Sequence, residues 1–554
     1  MTIHTDDEST ATDDPPAVAA ISDVPRSASM LRSNVIVASG TALSRVTGLL
    51  RTFVLAYVLG QTFVADAYLF ANETPNIVYD LLLGGVLSAA LVPLFTQYMG
   101  SSAGDADDAR TTNVMITMSV TLMVALTAIA VALAPVIFWF YSLRAPDGVD
   151  IDAFRAAGTA LARIFLVQIL FYGLTGIANA YLNSRRRFLA AAWSPILPNL
   201  IIILTLLSLP GAGETTWTLD DVVTDDRLRW TLGLGATLGI ASMAAVVIPA
   251  MVAAGLRFRP VWDWRHPVVR KLVTLSGWTI GFVAANQVAL VVIRNLTFGE
   301  GEGIGSAYIA AFVFFVLPHG LLAVSIATTF QPEMARAVTS RDRAAFIHHN
   351  SLGTRMIALL TLPAAAGLLV LREPIIGLMQ RGQFDANDLH NTSRALAGLS
   401  VGLVGFSIYL FTLRGFYAHQ DTRTPFVLNV GENLLNIVFA LLLVGRWGVL
   451  GLGLAYSIAY LLSSVWALST LSYKVRGLRV RDVMGGMWKM LLAAVLMAEA
   501  MWVVSDRFDT DVGRDGVVQL VIGGIVGVAV YVGVLLALRA EEIGWLRRRI
   551  LRRA

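Results

Sequence analysis

Fourteen stretches of about 20 mostly apolar residues recur along this 554-residue chain, and they limit its possible folds more than any other feature. A run of that length is what an α-helix needs to cross a bilayer. Their approximate bounds are 34–59, 67–98, 112–141, 157–183, 190–210, 231–256, 270–296, 304–330, 353–371, 393–418, 424–444, 448–473, 486–505 and 517–539. Charged residues make up 14% of the chain against 56% hydrophobic, whereas about a quarter of a soluble domain is charged. An all-α polytopic membrane protein is expected, with loops too short to hold a soluble catalytic domain. Cysteine is absent, which excludes a disulfide framework and thiol chemistry.

An even number of spans puts both termini on one side. The basic stretches at 185–187, 257–271, 336–343, 474–482 and 547–553 fall in alternate loops or at the C-terminus, and Lys271, Lys474 and Lys489 lie on that same side. The positive-inside rule makes that side cytoplasmic. The net charge of +4 therefore reads as topology, and no nucleic-acid partner is expected. Residues 1–32 are acidic and Pro- and Thr-rich, without the basic and apolar regions of a secretory signal, and read as a disordered cytoplasmic tail. Residues 541–554 read as a short basic cytoplasmic tail.

Residues 176–207 and 413–443 resemble each other. Each ends one helix with aromatic and small residues, crosses a basic loop and opens the next helix at Phe188 or Phe426, with Asn199 and Asn436 following at similar distances. The copies lie six spans apart, so they keep the same orientation and read as parallel repeats. The expected architecture is two pseudo-symmetric six-helix lobes, 33–256 and 257–473, with two extra helices over 474–540.

Polar residues inside the spans mark candidate sites. "SRVTGLLRTF" (44–53) plants Arg45 and Arg51 in the first span, where an arginine facing lipid costs roughly 2.5–3.5 kcal/mol. At 100° per residue Arg45, Gly48 and Arg51 sit at about 0°, −60° and −120°, with the arginine Cα atoms about 9 Å apart along the axis. Two guanidinium groups so placed can grip neighbouring anionic groups such as a pyrophosphate, with Gly48 leaving room for a headgroup. Alternatively they pair with acids of the second span, which carries Asn72, Asn76 and Asp80 at four-residue spacing beside Glu73. Pro75 is expected to break that helix, and Asp66 to stand at its outer entrance. Asn429, Glu432, Asn433 and Asn436 share one face of the eleventh span. They read either as an Na⁺- or H⁺-coupling site or as inter-helix hydrogen bonding, with Arg294 and His319 as weaker candidates. No metal motif, phosphate-binding loop or nucleophile elbow is found, so no catalytic residue or resident cofactor is expected.

At these residues the chain resembles the lipid II flippase family MurJ (MviN), within the multidrug/oligosaccharidyl-lipid/polysaccharide exporter superfamily. The resemblance runs through "SRVTGLLRTFVLAYVLGQTFVADAYLF", "PNIVYDLLLGGVLSAALVP", "GLLAVSIATTFQPEMAR" and "RGQFDANDLHNTSRALAGLSVGLVGFSIYLFTLRGFYAHQDTRTP", and covers nearly all of 33–540. It implies two helical lobes in a V and a groove for a polyprenyl tail at the last two spans. It implies translocation of an undecaprenyl-pyrophosphate-linked peptidoglycan precursor from the inner to the outer leaflet of the bacterial plasma membrane. Arg45, Arg51, Asp66 and Asn76 match the family's polar positions, and Ser44, Gly48, Glu73 and Asp80 join them as candidate substrate contacts. The chain departs from many members in having Thr52 in place of an acid, Glu73 in place of a base and Tyr79-Asp80 in place of two arginines. An arginine near Val313 is missing too, so the cavity keeps fewer cations.

The version "PNIVYDLLLGGVLS" resembles the actinobacterial branch, in which a kinase-like extension sometimes follows; here a regulator is expected to be a separate protein. Membrane lipids and cell-wall synthesis proteins are the other expected partners. Coupling to Na⁺, H⁺ or membrane potential stays open. A flippase for another polyprenyl-linked oligosaccharide has the same pyrophosphate to bind, and only the motifs separate it. A drug antiporter has little use for the two arginines. A non-transporting cell-wall scaffold should tolerate their loss.

Overall fold

The computed structural model describes residues 24–79, 106–146, 148–185 and 187–540. The described chain is helical. In order, its main helices are α1 (Val24–Leu59), α2 (Phe63–Tyr79), α3 (Ala106–Tyr141), α4 (Ile151–Phe165), α5 (Gln168–Ser184), α6 (Ile196–Leu207), α7 (Asp226–Ala253), α8 (Pro267–Gly299), α9 (Ile304–Pro318), α10 (Val324–Thr339), α11 (Arg343–Val370), α12 (Ala386–Ser400), α13 (Leu403–Ala418), α14 (Arg423–Trp447), α15 (Val449–Lys474), α16 (Met487–Ser505) and α17 (Gly513–Ala537). Among the described residues eleven helices are long and apolar enough to cross a membrane, or twelve if the bent pair α12–α13 is one span. They coincide with twelve of the fourteen apolar stretches. Of the other two, the second continues beyond Tyr79 outside the described residues, and the seventh is the 33-residue helix α8.

The packing of the helices repeats after six spans. α1 packs on α6 as α8 packs on α14, α2 on α4 as α9 on α12, and α5 on α7 as α13 on α15. Two lobes built on one plan result, and the hairpin α16–α17 packs mainly on α11 of the second. Aromatic side chains fill the first lobe's core, with Tyr68 edge-on to Phe165 at 5.3 Å. Side chains such as Leu204, Leu442 and Ile525 remain about two-thirds exposed on the outer faces, where lipid rather than water is the expected solvent.

Two prolines behave differently. α2 continues through Pro75 to Tyr79, so the expected break is absent; the Thr74 hydroxyl donates to the Phe70 carbonyl at 2.7 Å in the same turn. In the eighth span Pro318 is followed by a π turn, His319–Ala323, before the helix resumes as α10. Proline cannot donate the next helical bond, and the wider turn absorbs the misfit.

Candidate functional site

The two lobes meet at the end of α1 that carries Leu59, opposite the Arg-rich loops. Among the described residues, the hydrogen bonds and ion pairs joining 24–256 to 267–473 gather at this end. Main-chain N–H groups of Gln61 and Phe63 donate to Asp388 Oδ2 (3.1 Å) and Glu302 Oε1 (3.2 Å). Gln383 N donates to the Tyr57 carbonyl at 3.0 Å. In return Asp66 accepts from Gly303 N at 3.2 Å and Ser306 N at 2.6 Å, capping α9 from the other lobe. Gly303 has φ +73°, and a Cβ there would lie 2.0 Å from the Gln61 carbonyl oxygen, so only glycine fits this close approach. We call this set of contacts the seam.

Beneath the seam a cleft with about 860 Å³ of empty space, part of it continuous with solvent, opens between α1, α2 and α9. Arg51 and Thr52 of α1, Asn72, Glu73 and Asn76 of α2, and Val313 of α9 are on its walls. Glu73 forms an ion pair with Arg294 of α8, whose guanidinium also stacks over the Phe70 ring at 4.7 Å. Arg294 is 6% exposed, so the pair ties the cleft wall of α2 to the buried side of α8 in the other lobe. Arg51 has no acidic partner among the described residues and is the cation free to meet a ligand there.

The sequence-derived candidates separate into different places. Arg51, Glu73 and Asn76 come together on the cleft. Arg45 does not join them: its guanidinium lies against Gly320 in the π turn, where a Cβ would be 2.3 Å from Nη1. Its Nε is buried without a hydrogen-bond partner. Ser44 and Gly48 are not on the cleft wall. The Asn199 amide on α6 donates to the Ser44 carbonyl at 3.1 Å and to Thr47 Oγ1 at 3.0 Å, and Gly48 turns its open side to that same amide. The open side of the glycine therefore faces α6, at ordinary contact distance, rather than the cleft. Asp66 is fully buried and committed to the α9 cap, away from the cleft. Asp80 lies outside the described residues.

In the second lobe Asn286 of α8 accepts from Asn429 Nδ2 (3.0 Å) and Asn433 Nδ2 (2.7 Å) of α14. The Oδ1 atoms of Asn429 and Asn436 are buried without hydrogen-bond partners. Glu432, 1% exposed, hydrogen-bonds Tyr460 and faces Tyr308, Tyr409 and Tyr456. The residues missed from sequence, Gln61, Glu302 and Asp388, carry the seam; their only signal is a short polar segment beside each helix start.

Outside the spans, "DTRTP" folds into a cap for α14. Asp421 accepts from Thr424 N (3.0 Å), Thr424 Oγ1 (2.7 Å) and Lys474 Nζ (2.5 Å). Burial alone would raise its carboxyl, but the Lys474 and Thr424 hydrogen bonds prevail and hold it at about 2.

A sequence profile described as "Lipid II flippase MurJ" matches residues 55–519 of the chain. A probable lipid II flippase MurJ of Haemophilus influenzae is 30% identical over 482 residues, covering 83% of this chain and 90% of that one. One of Vibrio cholerae is 28% identical over 537 residues, covering 92% and 96%. Among solved structures, a lipid II flippase MurJ in an inward closed conformation superposes with a TM-score of 0.73 at 22% identity, covering 92% of this chain and all of that one. An inward-facing multidrug transporter of the MATE family gives 0.62 at 14% identity over 78% of this chain and 95% of that one, a likeness of fold.

Proposed function

This chain belongs to the lipid II flippase MurJ family, and from that premise we propose that it carries lipid II from the inner to the outer leaflet through the cleft between its lobes. It is a multi-pass protein of the inner membrane. The observation that carries the route is the one-sided seam: among the described residues the hydrogen bonds and ion pairs between 24–256 and 267–473 gather at the Arg-poor end, and at the Arg-rich end only the connecting segment 257–266 bonds to α3. With the Arg-rich loops and both termini in the cytoplasm, the cleft is sealed from outside and filled from inside.

Arg51 then receives the pyrophosphate, because a guanidinium fork matches phosphate oxygens and the carboxylate on the cleft wall, Glu73, is paired with Arg294. Asn76 and Asn72 supply neutral hydrogen bonds to the sugar. The α16–α17 hairpin, appended at 474–540 to lobes 33–256 and 257–473, lays the polyprenyl tail alongside α11. Opening the seam and closing the opposite end exposes the headgroup to the outer leaflet. The oxygens of Asn429 and Asn436 are suited to a cation such as Na⁺, and Glu432 to a proton, as couplings of that exchange to an ion gradient; the half-buried charge on Arg51 lets membrane potential act instead.

The test is the leaflet accessibility of lipid II in cells depleted of the protein, read with an externally added enzyme that cleaves the lipid. Accumulation of protected lipid, with cleavage restored by the wild type and not by Arg51→Ala, is the expected result. Cleavage unchanged by depletion would overturn the reading.

A further inference from the structure

A second cavity shares no wall residue with that cleft. It lies in the second lobe, between the π turn, α10 and α13, within about two turns of the Arg-rich loops, and holds about 830 Å³ of empty space, part of it continuous with solvent. Arg414 of α13 stands on its wall and donates Nη1 to Gln331 Oε1 of α10 at 2.6 Å. His319 and Ser407 are 3.0 Å apart, Nδ1 to Oγ, on the same wall. From the other lobe Arg45 reaches Gly320, in the turn that forms one side of the cavity.

Arg414 is the one charged residue on this wall among the described residues, and neither it nor Arg45 has a carboxylate partner among them. Gln331 is neutral, so its hydrogen bond fixes the direction of the Arg414 fork without discharging it. A half-buried guanidinium held in place, left uncompensated and open to solvent is the arrangement that binds an oxyanion. Arg45 sits six residues before Arg51, about 9 Å nearer the Arg-rich end, so a ligand here is displaced from the cleft along the direction of transport.

We propose that this cavity is a second anion site, built on Arg414 and Gln331 with Arg45 at its rim, for a phosphate or carboxylate group of the lipid-linked substrate. The proposal rests on the flippase reading, since it takes lipid II as the ligand. The pyrophosphate and the carboxylates of the stem peptide offer the same chemistry at different distances from the lipid tail. One of them occupies the cavity before the pyrophosphate moves to Arg51.

The experiment measures equilibrium binding to the full-length protein in phosphatidylcholine nanodiscs, with two probes: lipid II, and undecaprenyl pyrophosphate, which lacks the peptide. Arg414→Gln is expected to weaken lipid II binding about tenfold. Gln331→Glu keeps the arginine but gives it an internal acid, and is expected to weaken binding similarly; it carries the test if Arg414→Gln fails to fold. Arg414→Lys should lose less. If both probes weaken, the cavity holds the pyrophosphate; if lipid II alone weakens, it holds a peptide carboxylate. Unchanged lipid II affinity in a folded Gln331→Glu or Arg414→Gln protein overturns the proposal and leaves the flippase reading standing. Failure of the wild type to bind lipid II overturns that reading itself.

Discussion

Glu73 and Arg294 face each other across the boundary between the lobes, one on the cleft wall of α2 and the other buried on α8. The side chain of Glu73 keeps 30% of its surface exposed and that of Arg294 only 7%. Removing the acid strands the base: Glu73→Gln is expected to cost about 1–3 kcal/mol of stability, water at the exposed partner offsetting part of the loss. It should also loosen the seam side of the cleft. Because the chain has no cysteine, Ile309→Cys on the cleft wall provides a single reporter. Its labelling from outside by an impermeant thiol reagent should rise in the Glu73→Gln background, and unchanged labelling would count against the pair as a closure.

Arg51→Ala should abolish transport while the protein still inserts in the membrane. Arg51→Lys should keep a fraction, since an ammonium retains the charge and loses the paired fork. Cells that depend on each variant report the outcome as growth, with the protein level checked by immunoblot; normal growth on the alanine variant would remove Arg51 from the mechanism.

Gly320→Ala separates Arg45 from folding. The new methyl group falls on the flexible tip of the arginine side chain, which swings away, while alanine is up to about 1 kcal/mol better than glycine in a helix. Thermal stability should hold or rise as transport falls. A parallel loss of both would mean that the π turn itself is disturbed.

Asp66→Ala leaves the N–H groups of Gly303 and Ser306 without acceptors in a buried place, a loss of about 1–3 kcal/mol. Because Asp66 caps α9 rather than lining the cleft, the lipid II affinity of the surviving folded protein should change little. A large fall in affinity at unchanged stability would return Asp66 to the substrate.

Asp421 sets an acid limit on the Arg-rich loops. Its carboxyl is lowered to about 2 from an ordinary 3.8, so its contribution is fully present above about pH 4 and is lost as pH falls toward 2. Hydrogen exchange at residues 419–424 should be flat from pH 7 to 5 after correction for intrinsic rates. In Asp421→Asn the same amides should exchange faster at every pH.

Much of the fold was legible because apolar run length and six-span periodicity survive tertiary packing. The arginines were legible as misfits, yet their neighbours were not. Helical angle alone put Gly48 between Arg45 and Arg51 as open space, whereas the fold fills that space with Asn199 of α6. Asp66 and Glu73 both read as acids of one span; the structure gives the first to a helix start and the second to a cation. Such assignments depend on the distant segment that arrives opposite, as Glu302 and Asp388 do at the seam. Arg414 was overlooked because it lies near the end of a span, where an arginine usually reaches the interface.

The seam joins main-chain donors to carboxylate acceptors at Asp66, Glu302 and Asp388. Both kinds of group hydrate readily, so water admitted from outside replaces each lost partner as the lobes part. The latch is thus reversible by wetting: its buried bonds at Asp66 and Asp388 hold while dry and yield once a few solvent molecules enter. A compound that wedges a carboxylate of its own onto the Gly303 and Ser306 amides would hold the transporter ajar from the side a drug reaches first.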